Sequence, residues 1–137
     1  MIIQPYLSFE GRAEEAAEFY RSKLDAEIKM LMRFSEAPPP PAGMPTPPPN
    51  KVMHMELRIG DSTVFLSDGH CSGKAGFQGI SLSLTVANEA EAKRAFDGLS
   101  QGGQVQMPLT KTFFSPSFGM LTDRFGVAWM VYVAPQA

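Results

Sequence analysis

Apolar and polar residues alternate most strictly in "VMHMELRI", Val52 to Ile59. As a strand, this stretch points Met53, Met55, Leu57 and Ile59 one way and Val52, His54, Glu56 and Arg58 the other. Gly60-Asp61 then supplies a two-residue hairpin turn with glycine first. Pairing Ile59 with Ser62 sets Leu57 against Val64 and Met55 against Leu66, which gives one apolar face to bury. On the other face His54, Glu56 and Arg58 lie across from Ser67, Phe65 and Thr63.

Two stretches show helical spacing instead. In "YLSFEGRAEEAAEFYRSKL" a short strand leads into Ala13, Ala16, Ala17, Tyr20 and Leu24, which share one helical face. In "SLSLTVANEAEAKRAFDGL", Leu82, Leu84 and Val86 alternate as in a strand. Ala92, Ala95, Phe96 and Leu99 then make the helical stripe, with Asn88 as N-cap and Glu91 placed for a capping box. Gln101 to Gly103 closes that helix, because glycine accepts the left-handed conformation past a helix end. Each helix is followed by three strand signals: "AEIKMLMRF", "KVMHMELRI" and "STVFLSD", then "GQVQMPL", "FGMLT" and "VAWMVYV". The order strand, helix, strand, strand, strand is therefore written twice. It predicts an α+β chain with helices packed on one side of a mostly antiparallel sheet.

The last two strands meet at "TDRFGV", with Gly126 free to take positive φ. Val127, Trp129, Val131 and Val133 should face the helix layer, and Ala128, Met130 and Tyr132 the other side. The turn holds no obvious nucleophile or base, so it reads as a hairpin cap.

A different composition marks Ala37 to Asn50, where eight of fourteen residues are proline. Proline lacks the N–H donor and fixes φ, so neither a helix nor a central strand fits. An exposed, extended loop between two strands is expected; its PxxP spacing would also suit a proline-recognising domain. At 137 residues the chain reads as a single domain, 1–137, with module one over 1–70, the loop at 37–50 and module two over 79–135. A net charge of -2 gives no electrostatic footprint for nucleic acid or an anionic membrane. No apolar run approaches the ~20 residues of a membrane helix, and the opening "MIIQPYLSFEG" lacks signal-peptide organisation. Cys71 is the single cysteine, so no intrachain disulfide can form and a cytoplasmic location is expected.

Taken together, "PYLSFEGRAEEAAEFY", "VMHMELRIGDSTVFLSD" and "SFGMLTDRFGVAWMV" resemble the PhnB-like branch of the vicinal oxygen chelate superfamily. That superfamily includes glyoxalase I, extradiol dioxygenases and bleomycin-resistance proteins. The resemblance implies two βαβββ modules forming a curved, mostly antiparallel sheet, a cleft on its concave face, and a homodimer. In the superfamily's enzymes His and Glu side chains on that face hold a divalent metal. Carried over, those positions are Gln4 and Phe65 in module one and Ser81 and Met130 in module two. A phenyl ring has no lone pair, a thioether is soft, and the other two are neutral oxygens, so no metal and no cofactor is expected. PhnB-like sequences often carry a demethylubiquinone methyltransferase name. No glycine-rich strand-to-helix turn suited to a nucleotide-like methyl donor is present here.

Three functions follow as expectations. The first is a small-molecule-binding module whose cleft is lined by Gln4, Tyr6, His54, Glu56, Phe65, Ser67, Ser81, Phe114 and Met130, with Phe113 and Phe118 as further aromatic wall. The second is a metal-independent enzyme with His54 as acid or base and Glu56 orienting it. The third is a divalent-metal lyase, isomerase or dioxygenase with displaced ligands, drawing on His54 and Glu56 with Asp68, His70 and Cys71. "DGHC" has no zinc-site spacing, and a nucleophilic Cys71 would have only His70 beside it.

Overall fold

The fold is described from a computed structural model over residues 1–135; residues 136 and 137 of the expected single domain lie outside the described residues. The chain divides into two compact units, one from Met1 to Gly76 and one beginning at Phe77. Unit one runs β1 (Tyr6–Ser8), α1 (Ala13–Leu24), β2 (Glu27–Arg33), β3 (Val52–Ile59) and β4 (Ser62–Ser67), with a single 3-10 turn at Phe34–Glu36. Unit two repeats the order as β5 (Ser81–Val86), α2 (Glu89–Leu99), β6 (Gln104–Thr110), β7 (Phe118–Thr122) and β8 (Ala128–Val133).

Each unit folds its four strands into one sheet, ordered β1-β4-β3-β2 and β5-β8-β7-β6. The first strand pairs parallel with the last, and the other pairs are antiparallel. The helix crossover between first and second strands permits this parallel contact, which a short hairpin could not. The duplication extends to irregularities. A bulge sets Lys29 out of register between Ile28 and Met30, and another does the same to Gln106 between Val105 and Met107.

The helices bury the predicted stripes. Ala13, Ala16, Ala17 and Tyr20 are buried in α1, joined by Phe19, while Leu24 at the last turn is half-buried. Ala92, Ala95, Phe96 and Leu99 are buried in α2. Three alanines in α1 and two in α2 let the helix backbones lie close to the sheets, and the volume comes from Phe19, Tyr20, Phe96 and Leu99. Each fully buried large side chain contributes roughly 1.5–3 kcal/mol of hydrophobic stabilisation. Asn88 caps α2 by accepting from the Glu91 N–H at 2.9 Å, and the Glu91 carboxylate reaches back to the Ala87 N–H at 3.0 Å. Gly102 takes φ +76° just past the helix, as its sequence position suggests.

The hairpin register matches the sequence reading: Ile59 pairs with Ser62, Leu57 with Val64 and Met55 with Leu66. One assignment of face is corrected. Val52 is buried and Met53 only half-buried, the reverse of simple alternation. A register shift between Met32 and Arg33 pairs these with His54 and Val52, so Met53 is the extra residue of a bulge. The final hairpin turns at Asp123–Gly126, where Gly126 has φ +90° and its N–H bonds the Asp123 carbonyl at 3.0 Å. Val127, Trp129, Val131 and Val133 are buried, and Ala128, Met130 and Tyr132 half-buried. The proline-rich segment 37–50 holds no helix or strand and joins β2 to β3. Its base is tied by the Phe34 N–H to the Lys51 carbonyl at 3.0 Å and by Arg33, which donates to the Asn50 carbonyl and to both oxygens of Glu14.

Two buried carboxylates close the turns. Arg12, at the N-cap position of α1, makes no side-chain cap. Asp68, from beyond β4, takes over: Oδ1 accepts from the N–H groups of Gly11 (3.0 Å) and Ala13 (2.8 Å), and Oδ2 from that of Val52 (2.8 Å). In unit two Asp123 accepts from the N–H groups of Phe125 and Val127 and from Trp129 Nε1. Truncating Asp68 to Ala leaves buried donors unpaired and should cost about 3 kcal/mol, with Asp68→Asn intermediate. Urea unfolding followed by circular dichroism checks this; a loss below about 1 kcal/mol would contradict the assigned role.

Candidate functional site

In each unit the sheet face away from the helix carries the candidate residues. On unit one β1, β4, β3 and β2 align Tyr6, Phe65, Glu56 and Met30 in one row. The next row has Ser8 beside Ser67, and His54 beside Met32. Tyr6, Phe65 and His54 form a triangle of rings, with centroids 5.9 Å (Tyr6–Phe65), 5.5 Å (Tyr6–His54) and 5.2 Å (His54–Phe65) apart. The Tyr6 hydroxyl lies 3.0 Å from His54 Nδ1, and the imidazole tautomer decides which of the two donates. Tyr6 is 55% exposed, whereas His54 and Phe65 are half-buried.

The partner of His54 Nδ1 is thus Tyr6, where the sequence pointed to Glu56. Glu56 stands between Met30 and Phe65 in its row and is half-buried. Consecutive same-face residues on a strand are about 7 Å apart, and the phenol reaches the imidazole from a different strand instead. Nothing local in the sequence announces this bond, because Tyr6 and His54 are 48 residues apart. Arg58 turns away from the site, donating to the Gly60 carbonyl. Ser67 is buried and its hydroxyl accepts from the Gly69 N–H. Gln4 is exposed, ahead of β1.

The loop after β4 is tied down by the carboxylates of Asp68 and Glu10. All three backbone donors on Asp68 occupy its oxygens, as given above. Glu10 is clasped by the hydroxyls of Ser8 and Ser72 and by the N–H groups of His70 and Ser72. A Cβ on Gly69 would collide with the same carboxylate, so only glycine lets the loop wrap this closely. These hydrogen bonds, the one from Ser8 foremost, hold the Glu10 carboxyl at about 2, below its ordinary 4.5. Burial, then the charge of Asp68, pushes the Cys71 thiol upward, so it stays protonated and is a poor nucleophile. Among the described residues no three His, Cys, Asp or Glu side chains are grouped so that they could hold a metal ion.

On unit two the register sets three rows of four: Ser83–Met130–Met120–Met107, Thr85–Tyr132–Phe118–Thr110 and Ser81–Ala128–Thr122–Gln104. None of these residues carries a charge. Met130's lateral neighbours are Ser83 and Met120, while Ser81 sits one row away beside Ala128. Phe114 stacks on Tyr132 (6.2 Å, 20°) and meets Phe118 edge-on (5.0 Å, 74°). Phe114 is 38% exposed and Phe113 fully exposed. Beside them lies a cavity of about 760 Å³, lined by Asn88, Glu89, Lys111, Phe113, Phe114 and Pro116 among others. That volume falls within the roughly 300–1,000 Å³ of small-molecule sites. Phe113 and Phe114 stand out in the sequence as aromatic wall, whereas Asn88, Glu89 and Lys111 come together with them only when the segment after β6 passes the start of α2. The four positions carried over from the metal enzymes, Gln4, Phe65, Ser81 and Met130, offer no carboxylate and no imidazole. This donor set does not fit a divalent cage.

Two βαβββ units, each with a parallel first–last strand pair, define the glyoxalase/bleomycin-resistance class of α+β fold. A glyoxalase-related enzyme from Fulvimarina pelagi shares it at 15% identity and TM-score 0.64, over 98% of this chain and 88% of that one. More narrowly, the family described as 3-demethylubiquinone-9 3-methyltransferase matches residues 2–132, and the chain belongs to this PhnB-like family. The chain is 37% identical to the protein YjdN of Escherichia coli K12, covering 99% of this chain and 97% of that one. The crystal structure of PA1353 from Pseudomonas aeruginosa is 41% identical at TM-score 0.84, covering 99% of both chains. The PhnB protein from Bacillus cereus is 31% identical at TM-score 0.79, covering 98% of this chain and all of that one.

The Glu10 clasp has a pH signature. Because the folded carboxyl ionises below its ordinary value, its stabilisation is present above about pH 4.5 and is lost as pH falls through about 2. Glu10→Gln should therefore be less stable than the parent at pH 6, and the gap should close as pH falls toward 2. Urea unfolding across that range reads the gap; a gap independent of pH would contradict the clasp.

Proposed function

We propose that this chain is a small-molecule-binding protein of the glyoxalase/bleomycin-resistance fold that works without the superfamily's divalent metal. The open face of unit two carries the argument. A sheet face that stays in water ordinarily carries charged side chains, whereas this one has three methionines and two aromatics and no charge. Methionine and aromatic walls with a few hydroxyls are the usual lining of ligand sites. The fold by itself does not choose a function, and the family's methyltransferase description draws no support from these two helix-backed antiparallel-rich sheets.

A second reading rests on the Tyr6–His54 hydrogen bond. A phenol fixing one imidazole nitrogen leaves the other to move a proton, so His54 can act as acid or base without metal, next to Tyr6 and Phe65. One experiment separates the two readings. In a thermal-shift screen of small molecules against purified protein, a binder raises the melting temperature of both the parent and His54→Gln and is recovered unchanged. Turnover present in the parent and absent from a folded His54→Gln supports the enzyme; the absence of any stabilising compound overturns the binding reading.

We further propose that the protein acts as a cytoplasmic homodimer. Ile80, 64% exposed beside β5, and Val105, 48% exposed on β6, are apolar groups at the outer strands of unit two's sheet. Light scattering should give twice the 15.0 kDa chain mass; a single-chain mass at all concentrations overturns the dimer.

A further inference from the structure

Resting on the binding reading, we infer that the open face of unit two takes an uncharged, flat aromatic ring system, laid across the methionine row and against Phe118 and Tyr132. The charge inventory supports this first. A charged ligand group on this face would lose hydration and meet no counter-charge in any of the three rows. The corresponding face of unit one differs, since His54, Glu56, Arg58 and Glu27 all stand in its rows. Lys111 and Glu89 line the cavity beside Phe114, off the strand rows, and are of opposite sign.

Shape supports it next. Met107, Met120 and Met130 occupy successive strands in register, so three thioethers stand side by side about 5 Å apart at Cβ. Unbranched and polarisable, they can settle against a ring of variable outline. The adjacent row offers Phe118 and Tyr132, and Phe114, a loop residue 38% exposed, stacks on Tyr132. Ser83, Thr85, Thr110 and the Tyr132 hydroxyl supply neutral hydrogen bonds at the ring's edge, suited to a carbonyl or phenol oxygen.

Three probes of one shape test the inference: 2-acetylnaphthalene, 2-naphthoate and 2-naphthylmethylammonium. Each is titrated into protein carrying ¹³C-labelled methionine methyls. The neutral probe should bind at least about tenfold more tightly than either ion and should move the signals of Met107, Met120 and Met130 together. Met130→Glu should weaken the neutral probe and favour the ammonium; Met130→Gln, uncharged, controls for folding and shape. Equal or tighter binding of an ion overturns the inference, as does movement of methionine signals elsewhere without these three. If no probe binds while a compound from the thermal screen moves the same three signals, the ligand class is wrong and the binding reading stands. If no compound moves them, both fall.

Discussion

Each unit depends on a buried carboxylate whose oxygens accept from several N–H groups. In unit one Asp68 gathers the start of α1, the start of β3 and the end of β4 around two oxygens. A buried, unpaired carboxylate would be expensive. Three N–H groups, one of them at the positive end of a helix, offset that cost and fix three chain segments at one point. Asp123 does the same for the last hairpin and adds the indole of Trp129, so the turn and the core are held by one group. With these joints set, a helix can lie across one face of each sheet and leave the other face open.

That division of faces determines what chemistry each unit can offer. The helix side of each sheet is packed with alanines and a few large residues. On unit one the open face combines ionisable groups with a ring triangle, and its imidazole is held by a phenol. Unit two's open face is neutral and rich in sulfur and aromatic carbon. The repeat therefore conserves topology, parallel pairing and even the bulge of its second strand, while the two open faces have diverged in chemistry. A carboxylate in place of Met130 would put a charge into rows that hold none.

The carried-over metal positions show how little a shared fold constrains function. The chain belongs to a family described by a methyl-transfer reaction, and its class includes metal enzymes, yet the residues at those positions are a glutamine, a phenylalanine, a serine and a methionine. Side-chain chemistry at the open face, rather than topology, decides what such a protein can bind.

Periodicity alone made the modules legible. The two helical stripes, the Gly60-Asp61 hairpin with its register, the alternation in β8 and the Asn88–Glu91 cap all depend on neighbours close in sequence. Pattern could therefore place Phe65 beside Glu56, and Met130 and Tyr132 on one face. It failed at Val52 and Met53, because a bulge depends on the partner strand and breaks alternation without a local signal. Tertiary structure alone decided that Tyr6 rather than Glu56 meets His54, that Asp68 caps a helix starting 55 residues before it, and that Met107, Met120 and Met130 stand in one row. Hydrophobic period is a property of a single element, whereas a hydrogen bond or a row of side chains across strands exists only once elements far apart in the chain have been brought into register.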